Sequence, residues 1–171
     1  ALFITRSGQI VRDMVFDFRE NAYRSTNLSL IAEHLVRKSL EYYASYSAPK
    51  IIAMAKQELD ASNIWYIDNN GGLFGQTRER EYQINSWHKH KIGGTLSSET
   101  TKVTSIASIV STDGRHQDLW IVAKRTINGS TYFYVEKLGK EFDLVDLNNS
   151  STSIADKPCL LYTSPSPRDR G

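Results

Sequence analysis

His88 and His90 have the residue type and spacing in this chain that best suit chemistry. Because successive strand residues point to opposite sides, two residues of this spacing would share a side and could form half of a metal site. His34 or His116 would have to complete it, and no Cys or paired acidic residue lies nearby at metal-motif spacing. The sequence therefore favours a polar strand end beside Trp87 over a metal site, and it predicts no cofactor.

A catalytic triad could be imagined from Asp118, His116 and one of the many serines. No Gly-x-Ser-x-Gly segment, which would hold a nucleophilic serine on a sharp turn, occurs in the chain. The acidic residues are scattered, without a carboxylate pair at a recognisable spacing. We therefore predict that the protein is not an enzyme, and an enzyme acting on cell-wall polymers is the least favoured function.

Four basic side chains, Lys89, Lys91, Lys124 and Arg125, could contact DNA phosphates through charge alone. The alternative is a solvated strand edge, where lysine also blocks unwanted pairing with other strands. With 21 basic against 19 acidic residues, and a formal net charge of +2, the chain predicts no broad basic face. The nearly neutral charge favours the solvated strand edge. A channel through which DNA slides should also carry few basic residues, because it must avoid tight binding.

Three tryptophans, Trp65, Trp87 and Trp120, could stack on sugar rings in a glycan-binding module. All three lie in apolar runs that are typical of strands. Because a buried tryptophan contributes a large apolar surface to a small core, the sequence favours core packing for them. A solvent-exposed Trp65 or Trp120 would favour the glycan-binding alternative.

Aromatic and β-branched residues set the expected fold class. Nine Tyr, six Phe and three Trp, with many Thr, Ile and Val, favour β structure. In segment 1–27, the β-prone runs Leu2–Thr5 and Ile10–Phe16 flank a Gly-containing turn and predict a hairpin, which a polar loop follows.

A single short helix is expected after this hairpin. Leucine and isoleucine recur at helical spacing over 28–40, and Asn27 or Ser29 could cap the first turn. Pro49 marks a break, after which the period changes to that of strands.

Two strand-rich segments, 50–90 and 103–138, follow and are separated by a polar loop at Thr95–Thr101. Asn69 to Gly72 and the Asn128-Gly129 pair are tight-turn signals, because Asn and Gly tolerate positive φ. The predicted strands are Ile51–Lys56, Ile64–Asp68, Leu73–Arg78, Tyr82–His90, Val103–Ser111, Leu119–Thr126 and Thr131–Leu138. These segments predict a mainly β fold of antiparallel propeller-like blades or a β-meander, with one short helix near 28–40.

A weak internal repeat relates the two segments. Ile51 and Ile106 are 55 positions apart, and so are Trp65 and Trp120. Each copy leads from an apolar strand through a polar loop to an aromatic strand and a Gly turn. Repeated sheets of three or four strands are typical of propeller blades, so the segments are interpreted as a first and a second blade segment.

Three segments resemble the tail nozzle proteins of short-tailed phages, which are related to packaged-DNA stabilisation hub proteins. Thr26–Leu35 resembles the short helix that precedes a blade in that family. Gly71–Glu81, which leads to Trp87-His88-Lys89-His90, resembles its hairpin and Trp-His-Arg-His strand end. Asp118–Gly129 with Tyr134–Leu138 is the most similar part. The residues that carry the resemblance are Gly71, Leu73, Trp87, His88, His90, Trp120, Arg125, Asn128 and Gly129.

This resemblance spans roughly Leu2 to Leu138 and implies a virion structural subunit at the head-to-tail junction or tail nozzle. The alternative function is a glycan-binding propeller module at the tip of a phage tail. Junction and nozzle subunits form a homo-oligomeric ring that retains packaged DNA and conducts it on infection. The implied partners are other tail or portal-adaptor proteins and, transiently, passing double-stranded DNA. The implied location is the virion tail after assembly in the host cytoplasm. No apolar run is long enough to span a membrane, so no membrane contact is expected.

The end of the chain has a different character. Residues 159–169, from Cys159 to Asp169, resemble a sequencing adapter translated in frame. We therefore expect residues 1–158 to be a fragment of a propeller-like virion protein and residues 159–171 to be a non-native tail.

Overall fold

The computed structural model describes residues 1–36, 49–59, 62–96 and 99–138. The predicted non-native tail at 159–171 lies outside the described residues. Within them the fold is mainly β, with three antiparallel sheets and one short helix. The predicted fold class is therefore confirmed, and the arrangement is compatible both with blades and with a β-meander.

The first sheet is a three-stranded meander. Its strands are β1 (Leu2–Ile4), β2 (Val11–Asp17) and β3 (Ala22–Asn27), in the order β1-β2-β3. The hairpin predicted at the start of the chain is confirmed. The prediction of a polar loop after this hairpin is wrong in part. Asn21, at φ 48°, reverses the chain, and the following residues form β3, which pairs with β2. All but the last residue of β3 are exposed, so this edge strand lacks the apolar alternation that identifies a strand.

The helix predicted over 28–40 begins later than expected, at Glu33. The described helix α1 spans only Glu33–Val36, and the last four predicted positions lie outside the described residues. The chain turns before it because Asn27 Oδ1 accepts hydrogen bonds from the Ser29 backbone N–H at 3.0 Å and from the Ser29 hydroxyl at 2.9 Å. Such local bonds compete with helix formation. Asn27 therefore caps a turn rather than the helix.

The central sheet has four antiparallel strands in sequence order. They are β4 (Ile51–Gln57), β5 (Asn63–Asp68), β6 (Leu73–Glu79) and β7 (Ile84–His90). Each of the four strands predicted in the first blade segment is present, with bounds that differ by one or two residues. A register shift between Ile51 and Ala53 bends the edge strand β4.

A two-stranded ribbon and the third sheet complete the described fold. The ribbon, β8 (Thr95–Leu96) and β9 (Glu99–Thr100), lies where a polar loop was predicted. The third sheet has β10 (Lys102–Val110), β11 (Gln117–Ile127) and β12 (Ser130–Lys137), in that order. The three strands predicted in the second blade segment are therefore confirmed.

The three sheets stack face to face, with the central sheet in the middle. All six residues of β5 are buried, because alternate side chains face opposite layers and both layers are covered. Ile64 and Tyr66 pack in a cluster with Val11 of the first sheet. Trp65 and Ile67 pack in a second cluster, whose third-sheet members are Val103, Leu119, Ile121 and Ala123.

Candidate functional site

The two histidines of β7 form a pair on the central-sheet face that is turned toward the third sheet. His88 Nδ1 and His90 Nε2 are 2.5 Å apart, so one of them carries the shared proton. Both imidazoles contact Trp65, with ring centroids 5.6 Å from it for His88 and 4.8 Å for His90. The predicted common side of the two residues is therefore observed.

Gly75 makes the space that His88 occupies. It lies directly opposite His88 in the β6–β7 pairing. A Cβ at this position would overlap the His88 ring, with Cε1 as its nearest atom. Thr77 Oγ1, two residues along β6, lies 3.4 Å from His88 Nε2. The sequence reasoning did not identify Gly75, and a glycine inside a strand is the signal that could have found it.

Burial and the neighbouring His88 lower the pKa of His90 from its usual 6.5 to about 4. At neutral pH His90 is therefore uncharged, which suits its contact with the Trp65 ring. A second proton would place two N–H groups against each other across the 2.5 Å contact. The geometry fits a hydrogen-bonded pair, with an uncharged His90, that packs the interior of the stack.

The two histidines that could have completed a metal site are engaged elsewhere or exposed. His34 lies exposed on α1. His116 has Nδ1 at 3.1 Å from Asp113 Oδ2 and Nε2 at 3.4 Å from Asp118 Oδ1. Across the described ranges, no group of three or more His, Cys, Asp or Glu side chains is placed to hold a metal ion.

The imagined triad is brought together only in part. The structure does place His116 beside Asp118, in the turn region between β10 and β11. Both ring nitrogens of His116 face carboxylates, so neither is directed at a serine as a general base. Asp118 Oδ2 also accepts a hydrogen bond from Lys137 Nζ at 3.3 Å. The arrangement is that of a charged strand end.

Arg125 is held in an ion pair rather than presented to solvent. Its guanidinium binds Glu136 of β12 through two hydrogen bonds, one of them Nη2 to Oε2 at 2.8 Å. Its Nε donates to the Gly93 carbonyl at 2.8 Å. Arg125 thereby joins β11, β12 and the connection that follows β7. This neutralised, partly buried position is poorly suited to a phosphate contact.

The other three basic residues do not share one surface. Lys89 lies opposite Phe74, with Nζ 5.8 Å from the ring centroid, on the central-sheet face turned toward the first sheet. Lys124 lies on the outer face of the third sheet, with Nζ 5.6 Å from the Phe133 ring centroid. Lys91 is exposed just after β7. Contact of these residues with DNA stays a prediction.

The tryptophans serve three different packing roles. Trp65 is 4% exposed, and its Nε1 donates to Gln57 Oε1 at 2.5 Å. Trp87 stacks on Tyr66, with centroids 5.2 Å apart, and donates to the Leu28 carbonyl at 3.1 Å. Trp120 is half-buried on the outer face of the third sheet. The burial of Trp65 removes it as a sugar platform.

The predicted turn residues adopt the backbone that their positions require. Asn128 and Gly129 have φ of 49° and 79° in the tight β11–β12 hairpin. Gly71, at φ 84°, packs so closely on Lys102 that a Cβ would overlap it, and its carbonyl accepts from the Val103 N–H at 2.9 Å. Gly71 therefore links the central sheet to the third sheet.

A buried ion pair escaped the sequence reasoning. Asp13 is 4% exposed and binds the guanidinium of Arg78, with Arg80 Nη2 at 3.0 Å. Burial alone would raise the pKa of Asp13, but the two guanidinium groups outweigh it and hold that pKa below its usual value. The signal that could have revealed this ion pair is that Asp13 lies on the same side of β2 as the buried Val11. A carboxylate that points into the interior needs a positively charged partner.

A scan against models of protein families matches none of them, and a search of curated proteins finds no match. In the described part of the chain, no helix is long and apolar enough to cross a membrane.

Proposed function

We propose that the chain is part of a phage virion structural subunit, at the head-to-tail junction or tail nozzle, in which stacked β-sheets form the wall of a ring. The observation that carries this proposal is the stack itself. Three antiparallel sheets lie face to face, and both outermost faces of the stack bear exposed apolar side chains.

The first outermost face belongs to the first sheet. Val11 and Asp13 of β2 point into the stack, so the alternate residues Met14 and Phe16 point outward. Tyr23 lies opposite Phe16 and is 71% exposed. Exposed apolar clusters of this kind mark interaction surfaces.

The second outermost face belongs to the third sheet. Leu119 and Ile121 of β11 point into the stack, so Trp120 and Val122 point outward. Val135 of β12 lies opposite Val122 and is 70% exposed. A subunit with apolar surface at both ends of its stack suits incorporation into a larger assembly.

The arrangement of polar residues supports a structural role over catalysis. His88, His90 and Arg125 are used in packing and ion pairs within the stack. The ring would retain and conduct packaged DNA, with the exposed Lys91 and the partly exposed Lys124 among the groups available for brief phosphate contacts. Other tail or portal-adaptor proteins would be its neighbours in the virion.

Immunogold labelling of purified phage particles that carry the gene tests the proposal. Antibodies raised against the purified protein should label one end of the particle, at or near the tail. The matched control is the same particles labelled with pre-immune antibody. Absence of the protein from particles, or label spread over the whole capsid, would overturn the proposal.

A further inference from the structure

Two Asn-Gly pairs occupy tight turns of the chain, and they differ in what surrounds them. Asn70-Gly71 lies between β5 and β6 of the central sheet, and Asn128-Gly129 lies between β11 and β12 of the third sheet. Both glycines have positive φ, at 84° for Gly71 and 79° for Gly129, and both asparagines are exposed. The sequence gives the two pairs the same chemistry, and the fold distinguishes them.

An Asn-Gly pair can convert its asparagine into an acid without an enzyme. The backbone nitrogen of the glycine attacks the side-chain amide carbon of the asparagine. A new C–N bond forms, the bond to the amide nitrogen breaks, and ammonia leaves with the proton of the glycine N–H. Water then opens the resulting five-membered imide at either carbonyl, which gives aspartate or isoaspartate. Glycine favours the attack because it has no Cβ to obstruct the approach.

The fold holds the Asn70-Gly71 turn from two sides. The Gly71 N–H, whose nitrogen would attack, donates to the Asp68 carbonyl at 3.0 Å, and the Asn70 N–H donates to Asp68 Oδ1 at 2.8 Å. On the other side, a Cβ on Gly71 would overlap Lys102, and the Gly71 carbonyl accepts from the Val103 N–H at 2.9 Å. The chain must rotate about Asn70 for the attack, so these contacts between the central and third sheets would have to open.

The Asn128-Gly129 turn lies at the tip of a hairpin. Its two residues separate the last strand pair, Ile127 and Ser130. Apart from the chain neighbours of Gly129, no atom of the described residues lies within 4 Å of the position that a Cβ on it would take. Because exposed loop tips open locally at a small free-energy cost, Asn128 can rotate without disturbing the interior of the stack.

We propose that Asn128 is a site of spontaneous deamidation in the folded protein and that the fold protects Asn70 from the same reaction. Either product adds one carboxylate at position 128, which lowers the formal net charge from +2 to +1. Isoaspartate also adds a carbon atom to the main chain inside a two-residue turn, so it alters the hairpin that joins β11 to β12. The modification marks aged copies of the protein at one defined position.

Peptide mapping of the full chain by mass spectrometry tests the proposal. The purified protein is incubated in mildly alkaline buffer, which speeds the attack because the glycine nitrogen must lose its proton, and samples are digested at intervals. The conversion of amide to acid is followed separately at Asn70 and Asn128. An isoaspartyl-specific methyltransferase identifies the isoaspartate product. The matched control is the same protein incubated in concentrated urea.

In the folded protein, Asn128 should convert at least about fivefold faster than Asn70, because opening the turn at Asn70 breaks contacts with Asp68 and with the third sheet. In urea the two asparagines should convert at similar rates, since each is then followed by glycine in an open chain. The difference between the two conditions measures the protection that the fold provides.

A substitution at the restrained turn gives a second readout. Asp68→Ala removes the carboxylate that accepts from the Asn70 N–H, so it should raise the rate at Asn70 about threefold or more and leave the rate at Asn128 unchanged. Asp17→Ala is the matched control, because Asp17 Oδ1 also accepts from a backbone N–H, that of Arg19 at 2.9 Å, in a turn of the first sheet. It should change neither rate. Circular dichroism verifies that both variants are folded.

Equal rates at Asn70 and Asn128 in the folded protein, or faster conversion at Asn70, would overturn the proposal. An Asn128 that stays intact in the folded protein while it converts in urea would overturn it as well. If Asp68→Ala does not fold, the comparison of the two positions in the unaltered protein decides by itself.

Discussion

At the scale of single residues, the histidine pair is a packing device that depends on a glycine. His88 can lie against the sheet only because Gly75 opposite it has no side chain. His90 completes the arrangement through its contacts with His88 and Trp65. The two histidines, whose spacing on one side of the strand suggested a metal site, therefore fill the space between two sheets.

Gly75→Ala should destabilise the protein by about 2 kcal/mol, because the new methyl group overlaps the His88 ring in a packed layer. Urea denaturation at pH 7 measures the change. In a background of His88→Ala the same substitution should cost at least about 1 kcal/mol less, since the obstructing ring is gone. Equal costs in the two backgrounds would show that the close approach of Gly75 to His88 has no energetic consequence.

The protein should lose stability between pH 7 and pH 5 through His90. Its pKa is about 4 in the folded chain and near 6.5 when unfolded. The unfolded state therefore binds the proton first, and the associated stability, full above pH 6.5, falls as the pH drops toward 4. After allowance for partial exposure, the loss is about 1 kcal/mol at pH 5.

Urea denaturation of the unaltered protein and of His90→Gln at pH 7 and pH 5 provides the check. The variant should lose less stability between the two values, because it has no imidazole at this position to titrate. An unchanged pH dependence in His90→Gln would assign the effect to other groups.

At the scale of elements, the strands and turns were largely predictable, and the contacts between sheets were not. The seven strands from β4 to β7 and β10 to β12 follow from apolar alternation between Asn-Gly turns, which are local signals. The exposed strand β3 and the short ribbon β8–β9 carry no such alternation. The helix start was misplaced because a side-chain turn at Asn27 competes with helical bonding.

The candidate site shows the same division. The common side of His88 and His90 follows from strand geometry alone. The space at Gly75, the salt bridge at Asp13 and the burial of Arg125 depend on partners elsewhere in the chain, up to 67 positions away for Asp13 and Arg80. Strand pairing and sheet stacking bring these residues together, and no local pattern states which strand will be the neighbour.

Asp13→Asn should destabilise the protein by about 3 kcal/mol, because it leaves the partly buried Arg78 without a counter-ion between the first and central sheets. Asp17→Asn is the matched control: its partner Arg24 is exposed, so the cost should be below about 0.5 kcal/mol. Thermal or urea denaturation compares the two. Similar costs for both variants would contradict the role of Asp13 as the link between these sheets.

At the scale of the whole molecule, the stack has a direction. Each internal interface joins unlike faces, and both outermost faces bear exposed apolar side chains. Further sheets could be added to such a stack through face-to-face contacts of the same kind. This property suits a wall built from repeated parts, and it is the physical basis for the proposed ring.

A cryo-electron microscopy reconstruction of the tail of phage particles that carry the gene tests this account most directly. The account predicts a ring at the head-to-tail junction or nozzle. In its wall the three sheets should fit as consecutive layers, with the faces of Trp120 and Phe16 both covered by neighbouring protein. A tail map into which the three-sheet stack does not fit, or in which both faces are open to solvent, would contradict it.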